Sequence, residues 1–155
     1  MNTLEINGDY MGNMWGLAAR GICEYDDKVL LLKIRSKSGH DAGKWEIPGG
    51  KVKKGEFFDQ ALKREFMEEA GLEINIESLY NVIQNDYIAC KTNESVKSIQ
   101  LIMKVTSSSD DVKISDEHEE YKWFSKMELQ ELIDNEMLSR AAMNSFKKTN
   151  LGVEL

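Results

Sequence analysis

Apolar runs alternate with short polar breaks along most of the chain, and this pattern predicts β-strands. Two runs rich in β-forming residues, at positions 17–25 and 28–35, are separated by Asp26-Asp27 and predict a hairpin. Similar patterns predict further strands at residues 72–83, 87–91, 96–105 and 120–124. The pattern as a whole therefore indicates five or six strands.

A helix is predicted over residues 56–70, after a short extended segment at residues 45–48. The segment is extended because Pro48 disfavours helical geometry in the residue before it. Gly55 is expected to cap the start of the helix, and Gly71 stands where a left-handed residue would end it.

Two more helices are predicted near the end of the chain. Ser125, followed three residues later by Glu128, has the pattern of a capping box and opens a helix that runs to about Asn135. Another helix is expected over residues 138–148. Hairpin strands, one inserted helix and two helices at the end predict an α/β fold of the α+β kind, with helices on both faces of a mixed sheet.

The chain has 155 residues, the size of one ordinary domain, so we expect a single domain over residues 1–155 with a loose tail at 149–155. No apolar run approaches the roughly 20 residues that span a bilayer, and residues 1–12 lack the pattern of a signal peptide. We therefore expect neither membrane insertion nor secretion. The two cysteines, Cys23 and Cys90, are expected to be reduced thiols of a cytoplasmic protein.

Acidic residues outnumber basic ones by 27 to 20, which gives a net charge of −7 at pH 7. This balance argues against a nucleic-acid polymer as partner, because such binders use basic side chains to neutralise phosphates. It does not argue against a small phosphorylated ligand, since clustered carboxylates can hold a divalent cation that presents positive charge. The positions of the acidic residues are therefore more informative than their number.

The central predicted helix carries three glutamates where its core-facing stripe should continue. The stripe begins with Phe58 and Leu62 and extends into Glu65, Glu68 and Glu69. Like charges at this spacing destabilise a helix by roughly 0.2–0.5 kcal/mol per pair, and a solvated acidic face should lie opposite the apolar stripe. Converging carboxylates suit a hard cation such as Mg²⁺ or Mn²⁺, and no histidine pair or Cys-x-x-Cys motif indicates zinc.

The same helix lies within a recognisable motif. Gly50 is followed after five residues by Glu56, and seven residues later comes the run REFMEEAGL at positions 64–72. Residues 50–72 thus resemble the Nudix box at every fixed position. Phe66 departs mildly, because a branched aliphatic residue is more usual there, and this concerns packing rather than chemistry. Upstream, residues 40–50 are similar to the segment that leads into the box of bacterial MutT-type enzymes.

The resemblance implies an α/β/α sandwich around a mixed sheet and a pyrophosphohydrolase that cleaves phosphoanhydride bonds with Mg²⁺ or Mn²⁺ as cofactor. It implies that Glu65, Glu68 and Glu69 hold the metal, with Glu65 either a ligand or the base that takes a proton from water. It also brings the backbone at Gly50 to the metal. Arg64 belongs to this catalytic group and is expected to fix a carboxylate, Glu56 or Glu68, rather than to touch the substrate.

Further candidates for the site come from outside this group. Glu56 is expected to support the metal ligands without contacting the metal. A carboxylate from a later loop often completes such sites in the family, and we assign Glu117, with Glu120 as the alternative; a solvated loop explains both equally well. Lys33 and Arg35 are candidates for contacts to substrate phosphates, although ordinary strand-end charges would have the same pattern.

The remaining polar and aromatic candidates have simpler explanations. His118 and His40 are expected at the surface or in packing rather than as bases. Trp45, Trp123 and Phe124 could stack on a nucleobase, but core packing is the default expectation.

The favoured substrate is a small nucleoside triphosphate, oxidised forms included, cut to a monophosphate and pyrophosphate. The alternatives are a noncatalytic nucleotide or ADP-ribose sensor on the same fold, and a hydrolase of dinucleoside polyphosphates or nucleotide sugars. An isoprenoid-diphosphate isomerase would add a catalytic cysteine for which no matching context is found. The proline that marks ADP-ribose enzymes is absent, because Pro48 is the only proline. A homodimer is left open.

Overall fold

The computed structural model describes residues 13–37, 39–89 and 91–147. In this part of the chain the eight strands are β1 (Asn13–Tyr25), β2 (Lys28–Ile34), β3 (Trp45–Glu46), β4 (Gly49–Lys51), β5 (Ile74–Gln84), β6 (Tyr87–Ile88), β7 (Ser95–Ser107) and β8 (His118–Phe124). The helices are α1 (Phe58–Ala70), α2 (Lys126–Asp134) and α3 (Arg140–Phe146). The expectation of five or six strands was therefore wrong, because β3 and β4 are too short to show an alternating pattern.

The strands form one mixed sheet, as the sequence predicted. Its central order is β3-β2-β1-β7-β5, with β4 paired to β1, β6 to β7 and β8 to β2. β1 and β7 are parallel, and the other pairs are antiparallel. The predicted hairpin joins β1 and β2 through Asp26 and Asp27, whose φ angles of 50° and 59° match the two left-handed positions of a tight hairpin turn.

Helices cover both faces of the sheet, and β2 shows how. Successive leucines of this strand point to opposite faces: Leu30 packs in the core on the side of α1, and Leu31 packs in the core that contains Leu138 and Ala142. Both cores are apolar and buried. The α+β fold with helices on both sides is thus confirmed, and β2 needs apolar residues at consecutive positions because neither of its faces meets water.

The ends of the helices follow local hydrogen-bonding rules, with one correction. Phe57, not Gly55, is the N-cap of α1, and its N–H donates to Oε1 of Gln60 at 3.0 Å. Gly55 instead forms the preceding turn at a φ of 87°. Gly71 ends α1 at a φ of 65°, as predicted.

The two later helices begin at serine caps. The predicted capping box is present at the start of α2: the N–H of Glu128 donates to Ser125 Oγ at 3.2 Å, and the N–H of Ser125 donates to Glu128 Oε1 at 3.1 Å. Ser139 caps α3, where its Oγ accepts the N–H of Ala142.

Phe66 is fully buried in the core beneath α1, and a glycine on β1 makes room for it. A Cβ added to Gly21 would lie 2.7 Å from the Phe66 ring and 3.0 Å from Val105. The unusual aromatic residue in the box is therefore accommodated by the absence of a side chain on the facing strand.

This packing predicts the effect of adding one methyl group. Gly21→Ala should lower the free energy of unfolding by about 1–3 kcal/mol, because a close-packed core must shift to admit it. Gly16→Ala on the same strand is the matched control, since its Cβ would meet Val96 at an ordinary 3.6 Å. Urea denaturation of both variants measures the difference, and equal stabilities would contradict the packing account.

Other expectations concern the thiols, the termini and membranes. Cys23 is buried, and burial raises the pKa of its thiol to about 12, which makes it unreactive at neutral pH. Cys90 and the expected tail at residues 149–155 lie outside the described residues. None of the helices in the described ranges is long and apolar enough to cross a membrane.

Candidate active site

A cleft of about 380 Å³ lies where the end of α1 meets β3, β4 and the start of β8. Its charged wall is mainly acidic and comprises Asp41, Glu46, Glu69 and Glu117, with Arg20 as the basic residue. His118, His40 and Asn85 add further polar groups. Four carboxyl groups against one guanidinium favour cations over anions in this cleft.

The first two residues of β4, Gly49 and Gly50, lie against two glutamates of α1, Glu69 and Glu65. The N–H of Gly49 donates to Oε1 of Glu69 at 3.1 Å, and Glu69 is only 3% exposed. Gly49 has a φ of 145°, and a Cβ there would lie 2.3 Å from the carbonyl oxygen of Ala19. A glycine is therefore required at this position for the start of β4 to approach both β1 and the helix.

Gly50 makes the corresponding close approach to Glu65. A Cβ on Gly50 would lie 2.7 Å from the carboxyl group of Glu65, so the first glycine of the box lets this side chain lie directly against the backbone. Glu65 and Glu69, one helical turn apart, thus meet consecutive residues at the start of β4. Glu68 is different, because 55% of its side chain is exposed.

This contact predicts a separation of activity from stability. Gly50→Ala should displace the flexible end of Glu65 while changing the free energy of unfolding by less than about 1 kcal/mol. Turnover should fall about tenfold to a hundredfold, because a misplaced catalytic group is costly. Gly16→Ala again serves as control, and a Gly50→Ala enzyme with normal turnover would contradict a role for the Glu65 position.

Arg64 connects the glutamates of the box. Its guanidinium pairs with Glu56 at 2.7 Å, with Glu65 at 2.9 Å and with Glu68 at 3.3 Å, and it also donates to the carbonyl of Lys51 at 3.1 Å. The sequence suggested pairing with Glu56 or Glu68, and both contacts are present. The hydrogen bonds from Arg64 and from the Lys53 N–H lower the pKa of Glu56 to about 2, so this carboxylate stays ionised.

A second group of ionisable residues surrounds Glu69 at the floor of the cleft. The ligand atoms of Glu46, Glu69 and His118 all lie within 4.8 Å of one another. His118 is 4% exposed; its Nε2 pairs with Oε1 of Glu46, and its Nδ1 lies 3.6 Å from Oε2 of Glu69. Arg20 approaches the other oxygen of Glu46 at 4.0 Å.

The two carboxylates at the floor have opposite pKa shifts. Burial and the charge of neighbouring Glu46 raise the pKa of Glu69, against the opposing effects of Arg20 and the Gly49 N–H. Burial also acts to raise the pKa of Glu46, but the hydrogen bond with His118 and the charge of Arg20 outweigh it and lower that pKa. A cation bound near Glu69 would stabilise its ionised form.

The donors of the site fit a divalent cation. The box supplies carboxylate oxygens, and the buried Nδ1 of His118 has no hydrogen-bond partner within the described residues. An unpaired buried nitrogen beside a buried carboxylate is expected where a positive charge belongs.

The structure separates the remaining candidates. Glu117 lines the cleft, whereas Glu120 forms an ion pair with Lys33 at 3.7 Å. Lys33 also contacts Glu119, and Arg35 donates to the carbonyl of Asp116. Neither Lys33 nor Arg35 is among the described residues that line the cleft.

Sequence reasoning missed three residues at the floor of the cleft. Arg20 lies within the apolar run of β1, and Glu46 lies on β3, which is too short to show a pattern, so neither residue was singled out. His118 was expected at the surface or in packing, but it lies buried in the site. The available signal was the position of Glu46 two residues before Pro48 and the position of His118 directly after Glu117, which was already a candidate ligand.

Of the aromatic candidates, Trp45 and Phe124 pack in the interior, and Trp123 is partly buried against the core. Trp45 and Phe124 are buried and meet edge to face with ring centroids 4.9 Å apart. Trp123 packs against Tyr25. Packing therefore accounts for these three aromatic side chains without a role in stacking on a nucleobase.

The mixed sheet holds a glutamate-rich helix against Gly49 and Gly50, the arrangement expected from the resemblance of residues 50–72 to the Nudix box, and the comparison with protein families agrees. The NUDIX domain matches residues 15–144. The chain therefore belongs to the Nudix family and is an enzyme of that family of hydrolases, as residues 50–72 implied.

Individual relatives support the same assignment. The nucleoside triphosphatase NudI of Escherichia coli (strain K12) is 33% identical over an alignment of 107 residues that covers 66% of this chain and 76% of NudI. The crystal structure of a MutT protein from Methanosarcina mazei Go1 has a TM-score of 0.71 at 26% identity and covers 88% of this chain and 93% of its own. A MutT NUDIX hydrolase from Burkholderia pseudomallei has a TM-score of 0.62 at 25% identity, covering 85% and 95%.

Proposed function

We propose that this enzyme hydrolyses a nucleoside triphosphate to a nucleoside monophosphate and pyrophosphate, with Mg²⁺ or Mn²⁺ as cofactor. The observation that carries the proposal is the placement of Glu65 and Glu69 against consecutive glycines, Gly50 and Gly49, beside an acidic cleft. The similarity to a nucleoside triphosphatase supports the substrate class. A cleft of about 380 Å³ suits a small ligand rather than a polymer.

The residues that would hold the cation are Glu65, Glu68 and Glu69, with the carbonyl of Gly50 and the carboxylate of Glu117 as further oxygen donors. Oxygen ligands of this kind are those that Mg²⁺ and Mn²⁺ prefer. When bound, the cation supplies charge neutralisation of the phosphates and acidification of the attacking water.

The protein's own contribution is to place these carboxylates before the substrate arrives. Arg64 fixes Glu65 and Glu68 from one side, and it is itself held by Glu56. The Gly49 N–H fixes Glu69 from the other side. Glu65 is then either a ligand or the base that accepts a proton from water, and both roles require the orientation that Arg64 provides.

Three basic residues near the cleft are candidates for contacts to the substrate phosphates. Lys33 and Arg35 remain candidates for the terminal phosphates, but each would have to leave its present partner. Arg20 already lines the cleft and is the better placed cation, because its guanidinium lies at the floor beside Glu46.

The proposal predicts where an oxygen atom from water ends up. Hydrolysis of a nucleoside triphosphate in ¹⁸O-labelled water should place the label in the nucleoside monophosphate, because attack occurs at the inner phosphorus. Mass spectrometry of the products measures this. Label in orthophosphate would contradict the proposed cleavage.

The choice of substrate is tested by measuring the activity toward each substrate class separately. Canonical and oxidised triphosphates, dinucleoside polyphosphates, nucleotide sugars and ADP-ribose are compared by kcat/KM at one Mg²⁺ concentration. We expect a triphosphate to be the best substrate. A markedly higher value for ADP-ribose or a dinucleoside polyphosphate would overturn the substrate assignment and leave the family assignment intact.

A further inference from the structure

One ring nitrogen of His118 is paired with Glu46, and the other has no hydrogen-bond partner in the described part of the chain. The side chain is 4% exposed, and Nε2 is in hydrogen-bond contact with Oε1 of Glu46. Nδ1 is buried and has no hydrogen-bond partner among the described residues. Its nearest ionisable neighbour is Oε2 of Glu69, at 3.6 Å, which is too far for a hydrogen bond.

The pairing with Glu46 determines the state of the ring. A carboxylate accepts but does not donate, so the proton of a neutral imidazole belongs on Nε2, where it is shared with Glu46. Nδ1 then carries a lone pair. That lone pair faces Oε2 of Glu69 at 3.6 Å and has no hydrogen-bond partner among the described residues. A buried polar atom left unpaired is unfavourable unless a ligand or ion satisfies it.

We propose that Nδ1 of His118 and Oε2 of Glu69 are ligands of one divalent transition-metal ion, and that Glu46 holds the imidazole in the ligating tautomer. A metal-binding histidine usually donates its other N–H to a carboxylate, which is the arrangement of Glu46 and His118. Two ligands about 2.1 Å from one ion at a tetrahedral angle lie about 3.4 Å apart. The observed 3.6 Å between the two atoms is close to this separation.

The nitrogen ligand sets the class of ion. Mg²⁺ takes oxygen ligands, whereas Mn²⁺, Co²⁺ and Zn²⁺ accept imidazole increasingly well. The site shares Glu69 with the carboxylate group of the proposed function but uses Glu46 and His118, which lie outside residues 50–72. It therefore gives the enzyme a preference for transition metals that the box glutamates alone would not provide, and it extends the proposed function without depending on the choice of substrate.

The direct test observes the histidine nitrogen in the intact, untagged chain. The sequence has only two histidines, so a protein labelled with ¹⁵N-histidine gives two sets of ring signals, and His40→Asn assigns them. On addition of ¹¹³Cd²⁺, we expect scalar coupling between cadmium and Nδ1 of His118 and none at His40. Cadmium bound at saturation without coupling to His118 would overturn the proposal.

Binding constants of variants give an independent measure. His118→Gln should weaken Zn²⁺ binding by about 100-fold or more, and Glu46→Gln by about 10- to 100-fold through loss of its hold on the ring. Mg²⁺ binding should change less than about threefold in both. His40→Asn, at the rim of the same cleft, is the matched control and should bind both ions normally.

The results distinguish failure of the proposed His118 metal site from failure of the proposed triphosphate hydrolysis. If His118→Gln does not fold, the cadmium experiment on the natural chain still decides the question. Equal loss of Zn²⁺ and Mg²⁺ affinity in the variants would overturn the preference for transition metals. Triphosphate hydrolysis with Mg²⁺ but no cadmium at His118 removes this inference alone, whereas cadmium at His118 without triphosphate hydrolysis supports it and removes the proposed function.

Discussion

Glu69→Gln should leave the fold intact and lower turnover by about a hundredfold or more, the scale on which a positioned catalytic group contributes. The glutamine amide keeps the shape of the side chain and an acceptor for the Gly49 N–H, which Glu69 now accepts at 3.1 Å. It loses the charge that would hold a cation in the cleft. Steady-state kinetics at saturating Mg²⁺ and a circular dichroism spectrum measure the two parts of this expectation.

The same variant should be more stable than the natural protein, although it is less active. Burial and Glu46 raise the pKa of Glu69, so in the metal-free protein the folded state binds the proton more tightly than the unfolded state does. The stabilisation is therefore present at low pH and is lost as the pH rises from the unfolded pKa, about 4.3, toward the raised folded value. In chelator, Glu69→Gln should be more stable than the natural protein at pH 8, and the difference should shrink toward pH 5.

The control for this variant is Glu73→Gln, an exposed glutamate just beyond the end of α1. It changes the net charge of the chain equally and should affect neither turnover nor the pH dependence of stability. If Glu69→Gln kept full activity while becoming more stable, the buried glutamate would be only a strained charge, and the catalytic assignment would fail.

Removal of divalent metal should reduce hydrolysis to the uncatalysed background, and Mg²⁺ or Mn²⁺ should restore it. The wall of the cleft carries the carboxylates of Asp41, Glu46, Glu69 and Glu117 and the guanidinium of Arg20. A polyphosphate would be repelled from such a wall unless cations neutralise it. Rates measured in a chelator, followed by titration with each ion, test the expectation, and activity that persists in chelator would contradict it.

Thermal unfolding gives a readout of metal binding that does not depend on substrate. A ligand that binds only the folded state raises the melting temperature with its concentration. Mg²⁺ should therefore stabilise the natural protein, and it should stabilise Glu69→Gln far less. An equal shift in both proteins would place the ion away from Glu69.

Much of the fold was predictable because it depends on short-range patterns. The β1–β2 hairpin followed from two apolar runs around Asp26-Asp27. The end of α1 followed from Gly71, and the start of α2 followed from the Ser125–Glu128 pair. The start of α1 was predicted two residues early. Glu56 has a good propensity for a first turn, but Arg64 and the Lys53 N–H hold its carboxylate outside the helix.

In the candidate site, too, features set by local spacing were predictable and features set by tertiary packing were not. Spacing on one helix was enough to show that Glu65 and Glu69 lie on the core-facing stripe, and the contacts at Gly49 and Gly50 place both carboxylates there. The same stripe did not show that Glu68 is more than half exposed. Exposure depends on how far the sheet extends beneath the helix, which no local pattern records.

The sequence by itself determined the order of most elements, the Nudix box at residues 50–72 and the helical row of glutamates, because each depends on residues close together in the chain. Only the tertiary structure decided that Arg20, Glu46 and His118 surround Glu69. These residues come from β1, β3 and β8, and they meet because strands far apart in sequence pair in one sheet. A period-two pattern tells which face of a strand is buried, but it does not tell which strand lies beside it.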